Sequence, residues 1–141
     1  MIVVDASVAV KWVLSETGSE EAVALRDQDL MAPVLWLAEA ANVLWRRARI
    51  GEITGEQANA RLSELLKAPV ASLPIEPHLE RALGLAIEIG HPIYDCIYLA
   101  LALHHQTHVV TAAQPFPSAA NVPELADHVR LLSTSRTEPS G

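Results

Sequence analysis

Five short strand-like segments limit what this chain can fold into. Ile2 to Val4, Leu30 to Ala32, Val70 to Leu73, His108 to Val110 and Val129 to Leu131 are each three or four residues long, and helical patterns separate most of them. Ile2 to Val4, a β-branched run, reads as a parallel strand buried on both faces of a sheet. Strands that alternate with helices imply an α/β fold in which a parallel sheet is covered on both sides. Ligands in such sheets bind outside the carboxyl ends of the strands. Asp5 follows the first run and Thr111 follows the fourth, so both stand at such ends.

The helices have readable limits. Ser7 is a candidate cap for a helix over Val8 to Leu14. Ser19 opens a second, over Glu20 to Arg26, with acid in its first turn. The clearest runs from Leu35 to Ile50 and closes at Gly51. Thr54 with Gln57 forms a capping-box pattern for a helix to about Lys67, which Pro69 ends. Glu76 to Ile89 stops at Gly90, and Pro92 starts a helix to about His105. A short helix over Ser118 to Asp127 precedes the last strand. The 141 residues fit one domain, 1–132, followed by a frayed tail, 133–141.

The formal net charge of −7 argues against holding nucleic acid by overall charge, although it leaves room for a local basic patch beside bound cations. A single cysteine, Cys96, forbids an internal disulfide and points to a reducing, cytoplasmic setting. No apolar run approaches the roughly 20 residues that span a bilayer.

Three acids sit where acid is locally costly. Asp5 follows Ile2-Val3-Val4, Glu39 lies within Leu35-Trp36-Leu37-Ala38-Glu39-Ala40-Ala41, and Asp95 within Ile93-Tyr94-Asp95-Cys96-Ile97-Tyr98-Leu99. A buried carboxylate loses several kcal/mol of solvation unless something pairs with it. No Lys or Arg lies within a helical turn of any of the three. Taken singly, Glu39 reads as the edge of a core-facing stripe, and Asp95 as a helix-start acid favoured by the dipole. Taken together, they read as an all-oxygen ligand set for a hard cation such as Mg²⁺ or Mn²⁺, the ions that assist phosphodiester cleavage.

These segments resemble a known family. Ile2-Val3-Val4-Asp5-Ala6-Ser7, Glu39-Ala40-Ala41-Asn42-Val43-Leu44, Pro92-Ile93-Tyr94-Asp95-Cys96-Ile97-Tyr98-Leu99-Ala100-Leu101-Ala102 and Val109-Val110-Thr111-Ala112 are similar, in order and spacing, to the PIN-domain ribonucleases, and most closely to the VapC toxins of toxin–antitoxin pairs. The resemblance implies an α/β/α sandwich with a five-stranded parallel sheet. It implies Mg²⁺- or Mn²⁺-dependent endonucleolytic cleavage of RNA, dimerisation, and inhibition by a VapB-like antitoxin that inserts a segment near the acids. Asp5, Glu39 and Asp95 would be metal ligands or would orient the attacking water. Thr111 would hold a water or carboxylate, with Ser7 and Asn42 in support.

One position departs from the pattern. The family's Thr-Ala is usually followed by a fourth acid, whereas here the chain runs Thr111-Ala112-Ala113-Gln114. Natural loss of a ligand and an introduced substitution both account for Ala113, and either predicts impaired activity. The first alternative to an enzyme is a non-catalytic PIN-fold module that captures antitoxin or RNA. A phospho-acceptor receiver domain fits poorly, because Asp5 stands alone and Val70 to Leu73 ends without an acid. Arg46, Arg47 and Arg49 form the one basic cluster, open to RNA phosphate, an acidic partner or solvent. His104, His105 and His108 lack the spacing of a zinc site.

Overall fold

The computed structural model describes residues 1–133, so the expected tail lies outside the described residues apart from Ser133. Strands β1 (Ile2–Val4), β2 (Leu30–Pro33), β3 (Val70–Leu73), β4 (Val109–Thr111) and β5 (Val129–Leu131) form one sheet in the order β3-β2-β1-β4-β5. Every pairing is parallel, with Val3 opposite Met31 on one side and Val109 on the other. The period of two splits β1 between two cores. Ile2 and Val4 pack with Val8, Ala22, Leu30 and Val110 on one face, while Val3 packs with Met31, Trp36, Leu99 and Val109 on the other. This is the expected α/β/α sandwich.

The helices are α1 (Ala6–Ala9), α2 (Ser19–Ala24), α3 (Leu35–Arg49), α4 (Gly55–Leu66), α5 (Leu79–Ile89), α6 (Ile93–His104) and α7 (Pro115–Ala119). Helix α6 is the central pillar. Cys96 through Ala102 are all buried, so it is apolar around its circumference and packs on β1 and β2 with α5 alongside. Gly90, at φ +66°, closes α5 in the left-handed conformation and turns the chain towards α6. Thr54 and Gln57 form the expected capping box of α4. Among the described residues, no single helix is long and apolar enough to cross a membrane.

Two helix expectations need correction. The first helix begins at Ala6, not Val8, and Asp5 rather than Ser7 caps it. Asp5 has extended backbone (φ −96°, ψ 171°) and its carboxylate accepts the Ser7 N–H, so the acid that ends the strand also starts the helix. The helix expected over Ser118 to Asp127 lies earlier, at Pro115–Ala119, with only a 3₁₀ turn at Ala126–His128. Pro115 pre-sets the first helical turn, and Pro123 prevents its extension.

Core packing of α6 carries an expected outcome. Leu99→Ala should cost about 2–5 kcal/mol in urea unfolding, because the fully buried side chain leaves a cavity that the close-packed sheet and helices cannot fill. Leu83→Ala, on the solvent side of α5, should stay within about 0.5 kcal/mol of the parent chain.

Candidate active site

β1 and β4 are neighbours, yet the chain leaves β1 towards β2 and β3 and returns to β4 on the opposite side. In open parallel sheets this reversal of strand order opens a crevice beyond the carboxyl ends of the strands. Here the crevice is a cleft of about 520 Å³. Asp5, Glu39 and Asp95 all line it, together with Ser7, Asn42, Arg46, Tyr94 and Ala113. Residues 34 to 90 positions apart thus meet at one strand end.

Asp5 is only 4% exposed. Its Oδ1 accepts from the Ser7 backbone N–H at 3.0 Å and from the Ser7 hydroxyl at 2.5 Å. The Ser7 hydroxyl in turn accepts from the Ala112 N–H at 2.8 Å and lies 3.3 Å from the Thr111 hydroxyl. Thr111, fully buried, accepts from the Ala113 N–H at 3.1 Å. These bonds tie the end of β1 to the end of β4. Burial raises the Asp5 carboxyl to about pH 6; the Ser7 and Thr111 hydroxyls act against this, and Asp95 adds to it.

Glu39 is half-buried on α3, and Asn42, Val43 and Arg46 follow it at the spacings that share one helix face. The Tyr98 hydroxyl donates to its Oε1 at 2.6 Å. Burial lifts the Glu39 carboxyl above its ordinary value, the Tyr98 bond lowers it, and Asp95 lifts it further. Tyr98 is wholly buried, and burial with the nearby Glu39 and Asp5 charges raises its own ionisation far beyond the ordinary range. It therefore remains a donor. A hydrogen bond of 2.6 Å links Asp95 Oδ2 with His91 Nε2. The His91 ring is stacked on Phe116, with centroids 5.5 Å apart and planes 12° from parallel.

Each acid is thus held by a protein partner. Among the described residues, no three histidine, cysteine, aspartate or glutamate side chains stand together as a ready metal-binding group. The three acids do not form a closed cage. Their all-oxygen donor set nevertheless suits a hard cation such as Mg²⁺, which keeps several waters and takes only one or two carboxylates. Burial is the main cause that raises Asp5 and Glu39, Asp95 adds a smaller repulsion to each, and a cation bound beside them would relieve both.

The family model for the PIN domain matches residues 2–121. Ribonuclease VapC3 of Pyrobaculum aerophilum is 34% identical over 106 residues, covering 72% of this chain and 80% of that protein. The chain belongs to the PIN-domain family. Its relative is a VapC ribonuclease, as the resemblance of the acid-bearing segments implied. Three solved structures share the fold. PAE2754 from Pyrobaculum aerophilum has a TM-score of 0.71 at 22% identity, covering 93% of this chain and 88% of that one. Mycobacterium tuberculosis VapC20, a sarcin-ricin loop cleaving toxin, has a TM-score of 0.65 at 18% identity, covering 86% and 97%. A toxin–antitoxin complex from Klebsiella pneumoniae has a TM-score of 0.67 at 15% identity, covering 95% and 99%.

In this PIN domain the basic cluster divides. Arg47 pairs with Glu16 at 2.7 Å and Glu52 at 3.3 Å, Arg49 lies over the Trp45 ring, and only Arg46 lines the cleft. Lys11 is bound to Glu16 and the Thr17 carbonyl rather than free. Ala113 stands in the cleft wall, so the missing fourth acid leaves a methyl group there. Cys96 is buried and its thiol is pushed up to about 11, which leaves it inert. Sequence reasoning missed Tyr98 and His91. The short spacing of His91 from Asp95, four residues, was visible in the sequence, whereas Tyr98 reaches Glu39 from 59 positions away.

Asp5 provides a stability test. Its carboxyl binds a proton more tightly in the folded chain, at about 6, than at its ordinary 3.8. The native state therefore holds more protons between those values, and stability falls as pH rises through that window. The full shift corresponds to about 3 kcal/mol. Asp5→Asn keeps the capping oxygen and removes the charge. It should stabilise the metal-free chain at pH 7 by about 1–3 kcal/mol in denaturant unfolding, and the gain should shrink towards zero as pH falls to 4.

Proposed function

We propose that this VapC-family chain is a Mg²⁺- or Mn²⁺-dependent endoribonuclease that acts as the toxin of a toxin–antitoxin pair. The observation that carries the reading is the convergence of Asp5, Glu39 and Asp95 on one cleft at the strand-order reversal. Asp5, Asp95 and Glu39 would hold the cation, which supplies Lewis acidity at the phosphoryl group and a nucleophilic water. Ser7 from α1 and Thr111 from β4 hold the Asp5 carboxylate. Tyr98 ties one oxygen of Glu39, leaving that carboxylate to act through the other. Asn42 stands one turn after Glu39 on the cleft wall, where it can support the substrate or the water.

The partners and setting follow the family. A VapB-like antitoxin is the proposed inhibitor, consistent with the solved toxin–antitoxin complex that shares the fold. We place the protein in the cytoplasm, as a homodimer or in hetero-oligomers with the antitoxin. Ala113 favours a second reading. With a methyl group in the cleft wall where the pattern calls for a fourth acid, the chain retains the fold for capture while cleaving slowly or not at all.

Cleavage of a labelled RNA separates the two. The nuclease reading expects cutting in Mn²⁺ that EDTA abolishes, at least a tenfold gain for Ala113→Asp, and loss of activity in Asp95→Asn. Restoring Asp at position 113 without any cleavage, while antitoxin binding persists, would establish the binding module and overturn the enzyme.

A further inference from the structure

The lip of the cleft carries two residues that the acids do not account for. Tyr94 is 61% exposed, although seven consecutive residues of the same helix, Cys96 through Ala102, are buried. It lies one turn before the buried Tyr98 on the same stripe of α6. A singly exposed aromatic is ordinary on a protein surface. Tyr94 differs in lining the cleft that holds the carboxylates.

Arg46 lines the same cleft from α3. It makes no ion pair among the described residues, whereas Lys11 and Arg47 are committed to Glu16 and Glu52. Leu35, Ala38 and Val43 complete the α3 wall with apolar surface. A flat π-face, an apolar wall and one free guanidinium beside a carboxylate floor match a nucleotide, not a duplex. An unpaired base has a face to stack and a phosphate to pair, while paired bases keep their faces within the helix. The cleft volume is that of a small-ligand site.

We infer that Tyr94 and Arg46 form a nucleotide subsite, in which Tyr94 stacks on an unpaired RNA base and Arg46 pairs with its phosphate. The subsite rests on the ribonuclease reading above and adds to it the two residues that hold the substrate's base and phosphate at the lip of the cleft. Tyr94 then sets which segments of an RNA can enter, and Arg46 offsets the repulsion between phosphate and acids.

Fluorescence anisotropy of a labelled single-stranded oligoribonucleotide, in Ca²⁺ and without cleavage, tests this directly. The single strand should bind more tightly than the same sequence closed in a hairpin duplex. Tyr94→Ala should weaken single-strand binding about tenfold, and Tyr94→Phe should stay within about twofold of the parent. Arg46→Gln should reduce the slope of log affinity against log salt by about 0.7. Unfolding midpoints of the Tyr94 variants should match the parent, because the side chain is exposed. Equal binding of Tyr94→Ala and parent, or no preference for the single strand, would overturn the subsite and leave the lip to a protein partner. Failure of the nuclease reading looks different: Ala113→Asp would show no Mn²⁺-dependent cleavage while the Tyr94 effect on binding remained.

Discussion

The structure turns on a carboxylate placed where the sheet has little room for one. Asp5 ends the central strand, caps the first helix and lies almost fully buried beside Thr111. The strand needs Ile2, Val3 and Val4 inside, and the reversal of strand order puts the next residue at the head of the cleft. Burial disfavours the charged form of the acid and is the main cause that raises the Asp5 carboxyl. Ser7 and Thr111 oppose it with hydroxyls, and a divalent cation would relieve the imbalance that remains.

The neighbouring acids show the same compromise. Tyr98 crosses from α6 to hold Glu39, and His91 holds Asp95 from the turn after Gly90. Each bond takes one oxygen of its carboxylate; for half-buried Glu39 the Tyr98 bond opposes the effect of burial, whereas Asp95 stays partly open to solvent. The site is therefore preorganised by donors that are themselves locked, Tyr98 by complete burial and His91 by stacking on Phe116. Ala113 leaves one wall of this cleft without a charge.

Strand identity, sheet class and the three acids were legible in the sequence because they depend on local pattern. Ile2-Val3-Val4 reads as a buried strand wherever it occurs, and an acid directly after it is conspicuous. Pairings across the fold were less legible. Tyr98 and Glu39 are 59 positions apart, and no local rule joins them. The Arg46, Arg47 and Arg49 cluster looked uniform in the sequence, yet helical geometry sends one to the cleft, one to Glu16 and one over Trp45. The cap assigned to Ser7 belongs to Asp5, because two residues with capping side chains compete and the extended backbone decides. Pro115, Pro117 and Pro123 moved the last helix towards β4, where proline sterics outweigh apolar periodicity.

Calorimetric titration of the chain with MnCl₂, repeated on Asp5→Asn, is the most direct measurement of the central claim. Saturable Mn²⁺ binding at pH 7 that Asp5→Asn weakens at least tenfold is the result expected of acids held together for a cation. Equal affinity in both chains, or no binding in either, would contradict it.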